Sequence, residues 1–440
     1  MTSFFASIPE GWRASPLKLV TNFLGRGSAP DYVDDGPVHV VNQAVNRGSH
    51  LDWAKGKFHG TSLDPGKIKG FLENSDVIIN STGTGTLGRV GFFEGSQDGR
   101  PAIADGHVTV VRARKSEMLA RYAYYVLGSS HFYDFMYSSM VVGSTNQIEL
   151  SRERLASTVI PLPPLEEQRR IADFLDAEVG RTDTLVKARR KGIKTLLERR
   201  VANVFHQVSG SGSGALGASM LPWLDRTPKA WQEVRLGLLA RMGSGHTPSR
   251  SNSEWWKDCS IPWITTGEVS QIRDDRREEI HETRECISEL GLENSAAEIH
   301  PKGTVVLCRT ASAGYSAVMG TDMATSQDFV TWTCGPRLDP YYLLWCLRAM
   351  RSDLLGRLAM GSTHKTIYVP DLQMLRIPLP GIDEQRKIVK RIREANERID
   401  RAADAVQRQI DLLEERKRAL ITAAVTGRID VPTVRGADVS

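Results

Sequence analysis

The feature that most constrains this chain is an internal repeat. The segment IPLPPLEEQRRI beginning at Ile160 returns at Ile377 as IPLPGIDEQRKI, and the match then holds at a constant offset of 217 positions. Arg181 and Asp183 answer to Arg398 and Asp400, Ile193 to Ile410, Arg199 to Arg416, and Val208-Ser209-Gly210 to Val425-Thr426-Gly427. Solenoid repeats are only roughly 20–50 residues long, so the chain reads as two copies of a whole domain-plus-helix unit.

Composition sets bounds around that repeat. The 440 residues have room for roughly three domain-sized units. With 57 Lys and Arg against 52 Asp and Glu, the net charge of +5 permits a polyanionic partner without requiring one. The five cysteines (Cys259, Cys286, Cys308, Cys334, Cys346) lie in the second half without a C-x-x-C pair or a His at zinc-ligand spacing. They read as buried thiols in a reducing compartment, with no metal site. The N-terminal MTSFFASIPEGW lacks a basic n-region and an apolar core, and no run of about 18 apolar residues occurs. The expectation is a cytoplasmic protein with no membrane segment.

Each copy holds a globular module and then one long helix. The modules open alike, Ile8-Pro9-Glu10-Gly11-Trp12 answering Thr227-Pro228-Lys229-Ala230-Trp231, with Leu17 and Leu236 at the same distance beyond. Short apolar runs such as Val77-Ile78-Ile79 and Val305-Val306-Leu307 suit strands, and helical stretches follow from Tyr122 to Leu127 and Tyr342 to Leu347. The sequences between these anchors diverge, which predicts a shared framework with two different surfaces.

In the first long helix, about 166–207, compatible residues recur at Ile171, Leu175, Val179, Thr182, Val186, Ile193, Leu196 and Val204; the second offers Ile388, Ile392, Asn396, Ile399, Ala403, Ile410, Leu413 and Ile421. Spacings of three and four leave room for one partner helix. Prolines 161, 163, 164, 378 and 380 forbid an earlier start, and Glu166, Glu167, Asp383 and Glu384 suit the positive helix end. About 40 residues make a rod of roughly 60 Å. If the Ser-Gly stretch from Ser209 to Gly214 is a short flexible joint, the second module sits at the far end and its helix returns antiparallel.

Gly83-x-Gly85-x-x-Gly88 follows the strand at Val77, and Asp105 lies about where a dinucleotide's ribose ligand would fall. The fingerprint needs a helix next, whereas Val90-Gly91-Phe92-Phe93 is strand-like, and the second copy, Arg309-Thr310-Ala311-Ser312-Ala313-Gly314, drops two of the glycines. A tight turn between strands fits better. Its Ser81, Thr82 and Thr84, and in the second copy Arg309, Thr310 and Ser312, put hydroxyls and a cation where backbone can approach a ligand.

A second paired loop sets Gly143-Ser144-Thr145-Asn146-Gln147 against Gly361-Ser362-Thr363-His364-Lys365. Asn and Gln can read adenine edges, while Lys, Ser and Thr serve phosphates. Basic residues near these loops are Arg47, Lys55, Lys57, Lys67, Lys69 and Arg89 in module one, and Arg241, His246, Arg250 and Arg273 in module two. Arg276-Arg277, beside Asp274, Asp275, Glu278 and Glu279, reads as a self-paired loop, and Trp255-Trp256 as core. No Walker loop, H-E-x-x-H, G-x-S-x-G or D/N-P-P-aromatic signature occurs. His107 and Asp328 align, so that position does not keep its chemistry.

The doubled IPLP-x-x-[ED]-EQR-[RK]-I segment, the IPEGW-like openings and Ile261 to Val269 (IPWITTGEV) resemble the specificity subunit of type I restriction-modification systems. Asp105-Gly106-His107-Val108 and Thr325-Ser326-Gln327-Asp328-Phe329 look similar to that family's target recognition domains, which adds Gln327 to the candidate contacts. The resemblance implies an α/β architecture with two mixed α/β target recognition domains, 1–160 and 227–377, separated by antiparallel coiled-coil helices. Those helices take in 161–208 and 378–428, with a linker at 209–226 and a tail at 429–440. It further implies a non-catalytic subunit without cofactor that binds an asymmetric, bipartite site on double-stranded DNA. Two modification (methyltransferase) subunits and ATP-dependent restriction endonuclease subunits would be its partners. The alternatives are a coiled-coil adaptor without DNA contact and a nucleotide-dependent enzyme using the glycine loop.

Overall fold

The computed structural model describes residues 5, 7–143, 148–361 and 365–431. The chain forms two compact units, Met1–Arg190 with Gln407–Ser440, and Lys191–Val406. No helix among the described residues is long and apolar enough to cross a membrane.

Unit one is built on β1 (Arg13–Pro16), β2 (Thr21–Arg26), β3 (Val38–Val41), β4 (Val77–Asn80), β5 (Val90–Phe92), β6 (Ala102–Ala104), β7 (Val108–Ala113), helix α1 (Ala120–Gly128) and β8 (Val159–Leu162). The runs rich in Val and Ile form its interior strands: β4 is buried at every position, as expected of a strand packed on both faces. One antiparallel sheet runs β2–β7–β4–β5; a second joins residues 32–33 and 57–59 to β3 and β6, the last two parallel. The IPLP segment is not the first helical turn. Ile160, Pro161 and Leu162 lie in β8, paired antiparallel with β1, where a two-stranded edge tolerates proline. Helix α2 then runs Leu165–Ser209.

Unit two repeats the plan with β9 (Gln232–Arg235), β10 (Ala240–Ser244), β11 (Ile261–Ile264), β12 (Glu279–Ile280), β13 (Val305–Cys308), β14 (Ser316–Met319), β15 (Ala324–Thr325), β16 (Phe329–Cys334), α3 (Pro340–Ala349), β17 (Arg376–Leu379) and α4 (Ile382–Val425). Its main sheet runs β10–β16–β13–β14–β12. The first four strands match β2–β7–β4–β5; β12 is an addition, parallel to β14. β11 and β15 pair in parallel as β3 and β6 do.

The repeated residues have structural jobs. Gln168 is fully buried; its amide donates to the carbonyls of Glu117 and Pro163 and accepts from the Leu119 N–H. Gln385, also fully buried, does the same with Arg337, Pro380 and Asp339. The Tyr122 and Tyr342 hydroxyls donate to the Pro161 and Pro378 carbonyls. Gly427 has φ +70°, and a Cβ there would meet Pro9 at 2.1 Å; Gly210 has φ +69° and would meet Pro228 at 2.5 Å. Left-handed backbone and close approach both demand glycine there.

In each unit a stretch of α2 lies antiparallel to a stretch of α4. Asp183 pairs with Lys417 at 2.6 Å and Arg190 with Glu414 at 2.8 Å in unit one. In unit two Arg200 pairs with Asp400 at 3.3 Å, and Arg391 donates to Gln207 at 2.9 Å. The expected stripe is buried at Ile171, Leu175, Val186 and Val204 and at Ile388, Ile392, Ala403 and Ile410, while Thr182, Ile193 and Leu196 are half-buried. Gln168, Arg200 and Gln385 complete it, and apolar periodicity could not show them.

Several expectations change. The 209–226 stretch is folded: Leu216–Ala218 pairs with Arg226–Pro228, and Leu221 and Leu224 are buried, because the segment has enough apolar groups to close on itself. Only Cys308 and Cys346 are buried; Cys259, Cys286 and Cys334 are half-buried. Arg276 is held by Asp404 and Asp400 of α4 as well as by Asp274.

Candidate nucleic-acid interface

Each unit brings three loops to one corner. In unit one they follow β3 and β4 and precede β7: Asp105 N–H donates to Val41 O at 3.1 Å, Ser81 N–H to His107 O at 2.8 Å, and Leu150 N–H to Ser81 O at 2.8 Å. Gln43 Nε2 lies 2.6 Å from Thr82 Oγ1, which lies 2.8 Å from His107 Nδ1. His107 is exposed. Asp105 is buried and accepts from the His107 N–H and the Tyr32 hydroxyl; burial raises its carboxyl pKa. It braces the corner and is not placed as a ribose ligand. The glycine segment turns from β4 straight into antiparallel β5, with Gly83, Gly85 and Gly88 at positive φ and no helix after them.

The same bonds recur in unit two: Ser326 N–H to Ile264 O at 2.9 Å, Arg309 N–H to Asp328 O at 2.8 Å, Ile367 N–H to Arg309 O at 2.8 Å. They equate Ser81 with Arg309, Thr82 with Thr310 and His107 with Asp328. The Thr310 hydroxyl donates to Asp328 as Thr82 meets His107. Thus the frame is conserved between the copies while an imidazole becomes a carboxylate, an acceptor only. Gln327 is exposed beside it, its Oε1 accepting from Thr247 at 2.6 Å.

The candidate residues divide by position. Thr82, Thr84, Thr310, Ser312 and Gln327 belong to the corners. Ser81 does not face outward: it is fully buried, its hydroxyl bonded to Thr109 and the Ile79 carbonyl, because it continues the interior strand β4. Arg309 donates to the Gln327 carbonyl and stiffens the loop. Lys55, Lys57, Lys67 and Lys69 are exposed with no ion-pair partner among the described residues. Lys57 sits beside Val40 in the sheet, and the Lys69 carbonyl accepts from Ser28, which bridges to Asp105, so both flank the corner.

The arginines are more committed. Arg47 lies 3.6 Å from Asp52, Arg89 donates to the Asn46 carbonyl, and Arg241 lies 3.9 Å from Glu298. Arg250 bonds Glu285 at 2.5 Å and stacks 4.0 Å over Trp256, which itself packs edge-on to buried Trp263. Arg250 therefore serves structure first. His246 is exposed, and Lys365 donates to the Leu355 carbonyl. Asn146, Gln147 and His364 lie outside the described residues. Sequence reasoning missed Gln43 and did not use His107 and Asp328 as site residues. Their signal was position, immediately after or before an apolar strand.

Known proteins share this pattern. The family described as "Type I restriction modification DNA specificity domain" matches residues 9–195 and again 228–409. A putative type I restriction enzyme MjaX specificity subunit of Methanocaldococcus jannaschii is 21% identical over 439 residues, covering 97% of this chain and 95% of that one. The MjaIX specificity subunit of the same organism is 29% identical over 169 residues, 38% of each chain. A solved chain from work titled "Structural basis underlying complex assembly and conformational transition of the type I R-M system" has TM-score 0.72 at 20% identity, covering 96% of this chain and all of that one, a likeness of fold. With two family matches spanning both copies of the repeat, the chain belongs to the type I restriction-modification DNA specificity family, as a non-catalytic subunit that recognises DNA.

Proposed function

We propose that the chain binds an asymmetric, bipartite site on double-stranded DNA, module one (1–160) reading one half and module two (227–377) the other. The observation that carries this is the equivalence of Thr82–His107 and Thr310–Asp328: one frame that holds an imidazole in one unit and a carboxylate in the other. An imidazole N–H suits guanine acceptors, and a carboxylate suits the amino group of cytosine. Lys55, Lys57, Lys67 and Lys69 contact phosphates, fixing register without reading sequence. The long helices α2 and α4 set the distance between half-sites and dock two modification subunits, to which restriction subunits add. The work is cytoplasmic, and methyl transfer and cleavage reside in those partners.

The test is selection from a randomised duplex library by the assembled modification complex. His107→Ala should relax one half-site only, and Asp328→Ala only the other; relaxation of both halves by either variant refutes the assignment. Each Lys→Ala change should lower the salt slope of binding by about one without changing the selected sequence.

A further inference from the structure

The extra strand of unit two marks a vacancy in unit one. In unit two the edge strand β14 is covered: Val318 N–H donates to Glu278 O and Gly320 N–H to Ile280 O, both at 2.8 Å. The covering segment is clamped by its carbonyls. Arg348, buried, donates to Asp275 O, Arg277 O and the β14 carbonyl of Ser316. Arg200 donates to Asp274 O and Asp275 O, and Arg393 pairs with Glu278.

Among its described residues, unit one lacks each of these parts. β5 ends its sheet, and no described residue pairs with the N–H groups of Phe92 or Glu94, the counterparts of Val318 and Gly320. Gly128 stands where Arg348 would, and Lys417, the counterpart of Arg200, is engaged with Asp183 at 2.6 Å. Where the covering segment would lie, a cleft of about 990 Å³ runs along β5 between α1 and the long helices, lined by Val90, Phe92, Glu94, Tyr124, Gly128 and Val179.

We propose that this cleft takes an extended segment of a modification subunit, laid along β5 with carbonyls accepting from Phe92 and Glu94. An open strand edge presents unpaired groups at the spacing of a polypeptide ladder, and the sister unit fills the same place with polypeptide. Of the cations lining the cleft, Arg121 and Lys417 are neutralised by Asp176 at 2.7 Å and Asp183 and Arg89 is held by the Asn46 carbonyl, while Arg418 has no ion-pair partner among the described residues, so it is the open strand edge that favours polypeptide over nucleic acid. One of the two modification subunits therefore gains a contact that the other lacks. This rests on the proposed assembly.

Two variants and one control substitution in the full chain, assembled with the modification subunits of its own system, test it. Glu94→Pro removes one N–H while Glu94→Ala keeps it; Gly128→Arg restores the clamp of unit two, in a position where a Cβ meets only Val90 at 3.9 Å. Glu94→Pro should weaken binding of one modification subunit roughly five- to tenfold, with melting unchanged and Glu94→Ala like the parent, whereas Gly128→Arg, by adding a carbonyl clamp, should strengthen that binding. If both variants assemble like the parent, the cleft assignment is wrong while the assembly stands; a parent that never assembles refutes both. A photo-crosslinker at position 94 should capture the modification subunit, and capture of DNA would overturn the proposal.

Discussion

Replacing Gln168 by Leu probes the glutamine at the centre of the repeated EQR motif. The side chain is fully buried and makes three hydrogen bonds of 2.8–3.0 Å: the amide gives two, one to the wholly buried Pro163 carbonyl, and accepts one from Leu119. Leucine fills similar volume, so the cost is three stranded backbone groups. A buried group left unpaired costs about 1–3 kcal/mol and a partly solvated one nearer 1, which gives about 3–5 kcal/mol. Hydrogen exchange followed by mass spectrometry reads this locally, since the Leu119 amide is the donor lost. Protection around it should fall at least a hundredfold, at about 1.4 kcal/mol per decade, and Gln385→Leu should do the same around Asp339. Because each glutamine is bonded within its own unit, Gln168→Leu should leave protection at Asp339 unchanged. A loss below tenfold, or equal loss at both sites, would refute the argument.

The two repeat-related ion pairs should differ. Asp400→Ala strands Arg200, whose side chain is 9% exposed, and should cost about 2–3 kcal/mol, discounted for the two carbonyl bonds Arg200 keeps. Asp183→Ala, at a pair where the carboxylate is 43% exposed, should cost less than about 1 kcal/mol in the same denaturant titration. Asn396 is buried with neither polar atom bonded among the described residues, in a position where the first copy has Val179, so Asn396→Val should stabilise unit two by about 1–3 kcal/mol; a lower melting temperature contradicts this. Burial holds His300 below the usual imidazole range, with Glu298 opposing and Arg241 reinforcing. The unfolded chain therefore takes up the proton first as pH falls through about 6.5. Stability of unit two should decline from there toward the lowered folded value and be unaffected above it, and His300→Gln should flatten that decline in melts at several pH values.

What was legible in the sequence followed from periodicity. Val77–Asn80 and Val305–Cys308 form strands as their β-branched runs require, and the three-and-four spacing located both long helices and their mutual stripe. Ile160 to Leu162 misled because proline before a helix looks like a simple stop, when here the same residues bury as a strand edge first. The polar members of the helix stripe, Gln168, Arg200 and Gln385, were invisible because their value lies in carbonyls more than 40 residues away in sequence. The corners were half legible. The glycine turn announced itself, whereas Ser81 and Thr82 differ by one position and a pleat sends one inward and leaves the other partly open.

If the proposal holds, each module reads its own half of a split target. Replacing residues 227–377 with the corresponding module of another specificity subunit, then mapping methylated sites across the host genome, tests it most directly. The prediction is a new sequence in one half-site, with the other half and the gap between them unchanged. A change in both halves, or in neither, would contradict it.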